Sequence, residues 1–187
     1  PDRIAADAAR FHLQLAPGER ASLFVEVAFA AAAVERWDGS RYFCRFRAAR
    51  RALKTAAARI ATVETSNEIV NEVLCRSTAD LHMLMTDTAQ GRYPYAGIPW
   101  YSTTFGRDGL ITAMQLLWCD PKVAKGVLRR LAAYQAHDVD AASDAQPGKI
   151  LHEMRYGEMA RLHEIPHSPY YGTVDATPLF VWLFAET

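Results

Sequence analysis

Tyr93-Pro94-Tyr95-Ala96-Gly97-Ile98-Pro99-Trp100-Tyr101-Ser102-Thr103-Thr104-Phe105-Gly106-Arg107-Asp108 is the stretch on which the reading of this chain turns. It crowds five aromatic rings into a segment punctuated by Pro94, Gly97, Pro99 and Gly106. Proline fixes φ and glycine reaches conformations closed to other residues, so this is a shaped loop and not a regular element. A helix begins where it ends, near Asp108, because Leu110, Ile111, Met114, Leu117 and Trp118 recur at helical spacing.

Outward from this loop the pattern stays helical. Asp120-Pro121 reads as an N-cap and first helical residue, and Val123, Val127, Leu128, Leu131 and Tyr134 mark the inner face of the helix that follows. Residues 137–149 read as loop, residues 150–160 as a short helix, and residues 161–174 as loop again. Asp175 is expected to cap a last helix whose body, Leu179 to Phe184, is apolar all round, the pattern of a buried helix. That helix reads as still in progress at Thr187, so the chain is expected to be a piece of a longer polypeptide. Upstream, Ser66 or Asn67 caps a helix over residues 66–86, with Ile69, Val70, Val73, Leu74, Leu81, Leu84 and Met85 on its apolar face.

Residues 36–59 are basic, with Arg36, Arg41, Arg45, Arg47, Arg50, Arg51, Lys54 and Arg59 against Asp38 alone. Their Ala-rich second half favours helix. Either the stretch is a solvated connector, or it is a patch for nucleic acid or another anionic surface. Further toward the N-terminus, Phe11, Leu13 and Leu15 alternate with polar residues, and Leu23, Val25, Val27 and Phe29 alternate again. Pro17-Gly18 between them suggests a β-hairpin.

The 187 residues carry 21 Lys+Arg against 21 Asp+Glu, so the net charge is zero and the chain as a whole exerts no long-range pull on nucleic acid. With 50% apolar and 22% charged residues it has the make-up of a globular domain. No apolar run reaches the ~18 residues of a membrane span, so no membrane partner is expected. Cys44, Cys75 and Cys119 are widely separated and outside any Cys-x-x-Cys pair, which argues against a disulfide scaffold or thiolate zinc site. Cys75 and Cys119 fall within helical apolar patterns and are expected in the core. Pro1-Asp2-Arg3 shows no leader pattern, which leaves a processed leader open, and a reducing, cytoplasmic location is expected.

Three stretches carry groups able to do chemistry. In the aromatic loop, ring faces suit the C–H faces of sugars. Arg107 and Asp108 together offer a planar donor fork and two acceptor oxygens for neighbouring hydroxyls. The alternative is that Asp108 caps a helix, Arg107 pairs with a neighbour and the rings are core. In Gly148-Lys149-Ile150-Leu151-His152-Glu153-Met154-Arg155-Tyr156-Gly157-Glu158, Glu153 and Glu158 are either acids, bases or acceptors, or the charged face of a short amphipathic helix. In Tyr170-Tyr171-Gly172-Thr173-Val174-Asp175-Ala176-Thr177-Pro178, Asp175 either only caps or also lines a cleft. His163-Glu164-Ile165-Pro166-His167 spells the zinc-protease pattern, yet Pro166 denies the unbroken helix that pattern needs, and no metal is expected. Asp138, Asp140 and Asp144 lack the spacing of a calcium loop.

Ala96-Gly97-Ile98-Pro99-Trp100 with Phe105-Gly106-Arg107-Asp108, then Pro147-Gly148-Lys149-Ile150-Leu151-His152-Glu153, then Tyr170-Tyr171-Gly172 with Asp175-Ala176-Thr177-Pro178, resemble bacterial glycogen-debranching, amylo-α-1,6-glucosidase-like proteins. The resemblance covers residues 60–187. It implies a mainly α fold, part of an (α/α)6 toroid of the six-hairpin glycosidase kind: residues 1–35 as the end of a β-sandwich domain, 36–60 as the basic connector helix, and 61–187 as the first half of the catalytic domain. It also implies hydrolysis of α-glucosidic, α-1,6 linkages in glycogen, maltodextrin or a related oligosaccharide, without a cofactor. Arg107 and Asp108 would grip the terminal glucose and Trp100 would wall the pocket, with Phe105, Glu153, Tyr170, Tyr171 and Asp175 as further substrate-binding positions. Such enzymes use two carboxylates. In related folds both lie beyond the matched stretch, which leaves Glu153 and Asp175 as the candidates within it. With half a toroid, the segment is expected to be inactive without the rest of its polypeptide. The competing readings are a non-catalytic carbohydrate-binding protein on the same fold, a glycosidase of another α-glucoside, and a basic nucleic-acid-associated protein using residues 36–59.

Overall fold

The computed structural model describes residues 2–5, 7–25 and 39–187. It is mainly helical and divides into two compact units, Pro1–Arg51 and Ala52–Thr187.

In the first unit, β1 (Arg3–Ile4) pairs antiparallel with β2 (Ala9–Arg10). The alternating pattern over residues 11–25 does not form the expected strands: Gly18 takes φ 84° at the anticipated turn, but the described flanks are irregular. Leu13, Leu15, Leu23 and Val25 stand exposed among the described residues, and a two-stranded ribbon alone is marginal. Val27 and Phe29 lie outside the described residues. Of the basic stretch, Ser40–Ala57 forms a helix, α1, which begins in this unit and runs past Arg51, while Arg36 and Asp38 lie outside the described residues.

In the second unit, α2 (Glu68–Leu84) is capped by Asn67, whose Oδ1 accepts from the backbone N–H groups of Ile69 at 3.0 Å and Val70 at 3.4 Å. Asn71 reaches back six residues, past the cap, to accept from Thr65. The helix ends before Met85, which turns extended and opens β3 (Met85–Thr88). β3 pairs in register with β4 (Gly91–Pro94), a hairpin the helical periodicity concealed. Its turn needs Gly91, whose φ of 129° is closed to residues with a Cβ. α2 buries none of its residues, and Cys75 on it is exposed and not in the core; Cys119 is buried.

α3 (Gly106–Leu116) and α4 (Pro121–Ala133) follow, the latter with Asp120 as N-cap and Pro121 at its first turn. The core gathers Tyr93 from β4, Leu110 and Ala113 from α3, and Val123, Val127 and Leu131 from α4. Ile150, Leu151 and Leu183 complete it. Close packing of α4 on β4 is made possible by Gly126, where a Cβ would sit 2.1 Å from the Arg92 carbonyl oxygen. The helix expected over residues 150–160 shrinks to α5 (Glu158–Arg161), because residues 152–154 are extended and hydrogen-bonded on both sides. α6 (Ala176–Ala185) is apolar all round, as read, yet only Ala176 and Leu183 are buried; Val181, Trp182 and Phe184 stand in solvent. It packs on α3 and α4.

Candidate functional site

The site is organised by a small ladder of β-bridges that joins three segments, 103–105, 152–155 and 167–170. Glu153 is the middle rung, bridging Phe105 on one side and Tyr170 on the other. The Gly106 N–H donates to the His152 carbonyl at 2.9 Å and the Met154 N–H to the Thr104 carbonyl at 3.1 Å. Thr103 Oγ1 donates to the Met154 carbonyl at 2.6 Å. On the other edge, Glu153 and Tyr170 exchange backbone bonds, and the Arg155 N–H donates to the His167 carbonyl at 2.6 Å. The three stretches singled out in the sequence therefore meet in backbone pairing.

Gly106 is required at the point where this ladder turns into α3. A Cβ there would lie 1.9 Å from the Leu151 carbonyl oxygen. Tyr93 fixes the same corner from below: its buried hydroxyl donates to the Phe105 carbonyl at 2.7 Å, and Gly109 leaves room for its ring. Burial pushes the Tyr93 phenol well above its ordinary pKa, so it remains a donor at any working pH.

Arg107 and Asp108 leave this corner in the first turn of α3, and both are exposed. Phe105, not Asp108, is the N-cap. Arg107 Nη1 donates to Asp175 Oδ2 at 3.0 Å. Asp175 caps α6 by position but makes no side-chain cap bond; its carboxylate instead accepts from Thr173 Oγ1 and from Arg107. The Thr173 hydroxyl, then the Arg107 guanidinium, hold the Asp175 carboxyl below its ordinary range against an opposing effect of burial.

Two clefts open on either side of Arg107. A narrow one of about 230 Å³ is lined by Asp108, Tyr95, Ile111 and Thr112. A wider one of about 810 Å³ is lined by Asp175, Thr173, Asp144, Lys149 and His152. His152 Nδ1 is buried without a hydrogen-bond partner among the described residues.

The other singled-out residues divide. Glu153 is 7% exposed and engaged by Arg155 Nε, with His167 Nδ1 3.9 Å from the same oxygen. Phe105 is buried at the ladder's edge, with Tyr101 and His152 edge-on to its ring. Tyr170 packs against His152 and His167. Tyr171 turns into the core, where its hydroxyl donates to the Tyr134 carbonyl at 2.8 Å. The Trp100 indole is 77% exposed and lines neither cleft beside Arg107. His163 takes φ 57° in a turn, so the H-E-x-x-H letters are not on a helix.

Arg155 and Arg130 went unread in the sequence. Arg155 stands two residues after Glu153, on the same side of an extended strand but far apart around a helix, so the helical reading of 150–160 hid the pair. Arg130 is 6% exposed and donates to Thr104 Oγ1 at 2.7 Å and to Gln90 Oε1 at 3.0 Å, with its guanidinium against the rings of Tyr93 and Tyr134. Its place on the inner face of α4, amid apolar residues, gave no sign of a role. Among the described residues no group of three His, Cys, Asp or Glu side chains is placed to hold a metal ion, and no helix is long and apolar enough to cross a membrane.

No family model matches the chain, and no curated protein matches it.

Proposed function

We propose that this chain supplies part of the sugar pocket of a glycoside hydrolase of the glycogen-debranching type. Its substrates would be α-1,6-linked glucose in glycogen, maltodextrin or a related oligosaccharide. The observation that carries the reading is the placement of Arg107 and Asp108. They are adjacent, solvent-facing, fixed by the first turn of a packed helix, and open onto clefts that mix polar groups with a tyrosine ring. A guanidinium fork and a carboxylate side by side match vicinal hydroxyls, which present a donor and an acceptor at each carbon. Tyr95 in the narrow cleft offers a flat face to a sugar ring.

In this reading Asp175, held as an anion by Thr173 and Arg107, is a hydroxyl acceptor or a base and not the proton donor, because a general acid needs a raised pKa. The partial toroid, the reliance on the remaining polypeptide, and the absence of any cofactor requirement belong to the same proposal, as does a cytoplasmic location. A second reading, a non-catalytic carbohydrate-binding protein, is favoured by one observation: Glu153 and Asp175 are both occupied by arginines. Glucose release from a branched limit dextrin by the full polypeptide separates the two. The hydrolase reading predicts release that falls by roughly a hundredfold or more in Asp108→Ala, since transition-state contacts to hydroxyls are lost. Binding without release supports the second reading, and neither binding nor release contradicts both.

A further inference from the structure

We infer that Arg155 is the positioning residue that locks the Trp100–Phe105 loop onto the ladder and so holds the exposed Trp100 indole in place for a ligand. The inference rests on the carbohydrate reading only for the identity of that ligand.

One guanidinium joins three elements. Arg155 Nε donates to the carboxylate of Glu153, the middle rung of the ladder. Its Nη1 donates to the carbonyl oxygen of Trp100. Its guanidinium carbon lies 5.6 Å from the centroid of the Tyr101 ring and 5.3 Å from that of Phe105. The base of the side chain is itself fixed, since the Arg155 N–H donates to the His167 carbonyl at 2.6 Å. Glu153 is buried, and Arg155 balances its charge and orients the fork. Only a planar guanidinium bonds a carboxylate through one nitrogen and a carbonyl through another while stacking on rings; a lysine ammonium lacks both the fork and the flat face. Within the loop, the amides of Gly97 and Thr103 both donate to the Tyr101 carbonyl. Those two bonds report whether the loop is closed.

The test uses Arg155→Met, Arg155→Lys, Trp100→Ala and the double variant Arg155→Met/Trp100→Ala. Amide hydrogen exchange is read at Gly97 and Thr103, with α4 as the control for folding. Losing the charge-assisted bond to Trp100 is expected to speed exchange at both loop amides by about tenfold while α4 stays protected. Arg155→Lys, which keeps the charge over Glu153, is expected to speed it nearly as much, and it stands in if Arg155→Met does not fold. Panose binding by calorimetry is measured in parallel. If Arg155 acts through Trp100, the double variant binds no more weakly than Trp100→Ala alone, a coincidence a merely structural role would not produce. Unchanged exchange at Gly97 and Thr103, or additive losses in the double variant, would overturn the inference. If the unaltered protein does not bind panose, the carbohydrate reading fails and the exchange result alone decides the clamp.

Discussion

Arg107 Nη1 meets Asp175 Oδ2 at 3.0 Å, joining the first turn of α3 to the start of α6 across 68 positions of sequence. The pair is half exposed on the arginine side, so its direct contribution to stability is small, about 0.5 kcal/mol. Its consequence is geometric. It fixes which way the guanidinium faces between two clefts.

The same pair gives a pH dependence with a definite sign. The Thr173 hydroxyl and Arg107 depress the folded-state pKa of Asp175 below its unfolded value near 3.8. A depressed carboxyl stabilises the fold above the unfolded value and loses that contribution as pH falls through the folded one. Asp175→Asn is therefore expected to lower denaturant stability at pH 6, relative to the unaltered protein, and the difference is expected to shrink as pH falls below the unfolded value near 3.8. A difference that persists undiminished in acid would show that the charge is not the cause.

Packing at the glycines yields a contrast. In Gly106→Ala and Gly126→Ala the new methyl would meet backbone oxygens at 1.9 and 2.1 Å. Backbone cannot swing aside as a side chain can, and each change is expected to cost about 3 kcal/mol or more. Gly157→Ala is the control. Nothing lies within 4 Å of its added carbon and its φ of 179° is ordinary extended backbone, so its effect should stay within about 0.5 kcal/mol. Equal melting temperatures for Gly106→Ala and Gly157→Ala would refute the packing at the ladder's corner.

Arg130 is a buried cation held by neutral acceptors and two aromatic rings. Removing it leaves Thr104 and Gln90 without their donor. Arg130→Met is expected to destabilise by about 3 kcal/mol, with little rescue from Arg130→Lys, which cannot present the same fork. Urea denaturation of both variants checks this. A fully stable Arg130→Lys would mean that charge, not geometry, is what the position needs.

The sequence was most legible where one periodicity ran long. α3 and α4 came out close to their read bounds because their apolar residues repeat every three to four positions, and Asp120-Pro121 marks the restart. It misled where short segments take their structure from partners. Residues 85–94 form a short hairpin whose strands pair with each other, and residues 152–154 are extended because distant backbone at 104–106 and 170 pairs with them, which no local pattern states. The alternating residues 11–25 show the reverse, a strand-like pattern that pairs with no strand among the described residues. Of the site, the exposed Arg107 and Asp108 were legible from residue type. The partners that hold the ladder in place, Arg155 and Arg130, were not, since their roles depend on distant carbonyl, hydroxyl and amide groups.

The most direct measurement of the central claim is calorimetric titration of panose into the full polypeptide carrying either Asp108 or Asp108→Asn. The substitution keeps the shape and removes the charged acceptor. A carbohydrate grip by Arg107 and Asp108 predicts saturable binding that weakens about tenfold or more in the variant, the loss of a charge-assisted hydrogen bond to hydroxyl. Equal affinity in the two proteins, with both folded, would contradict it.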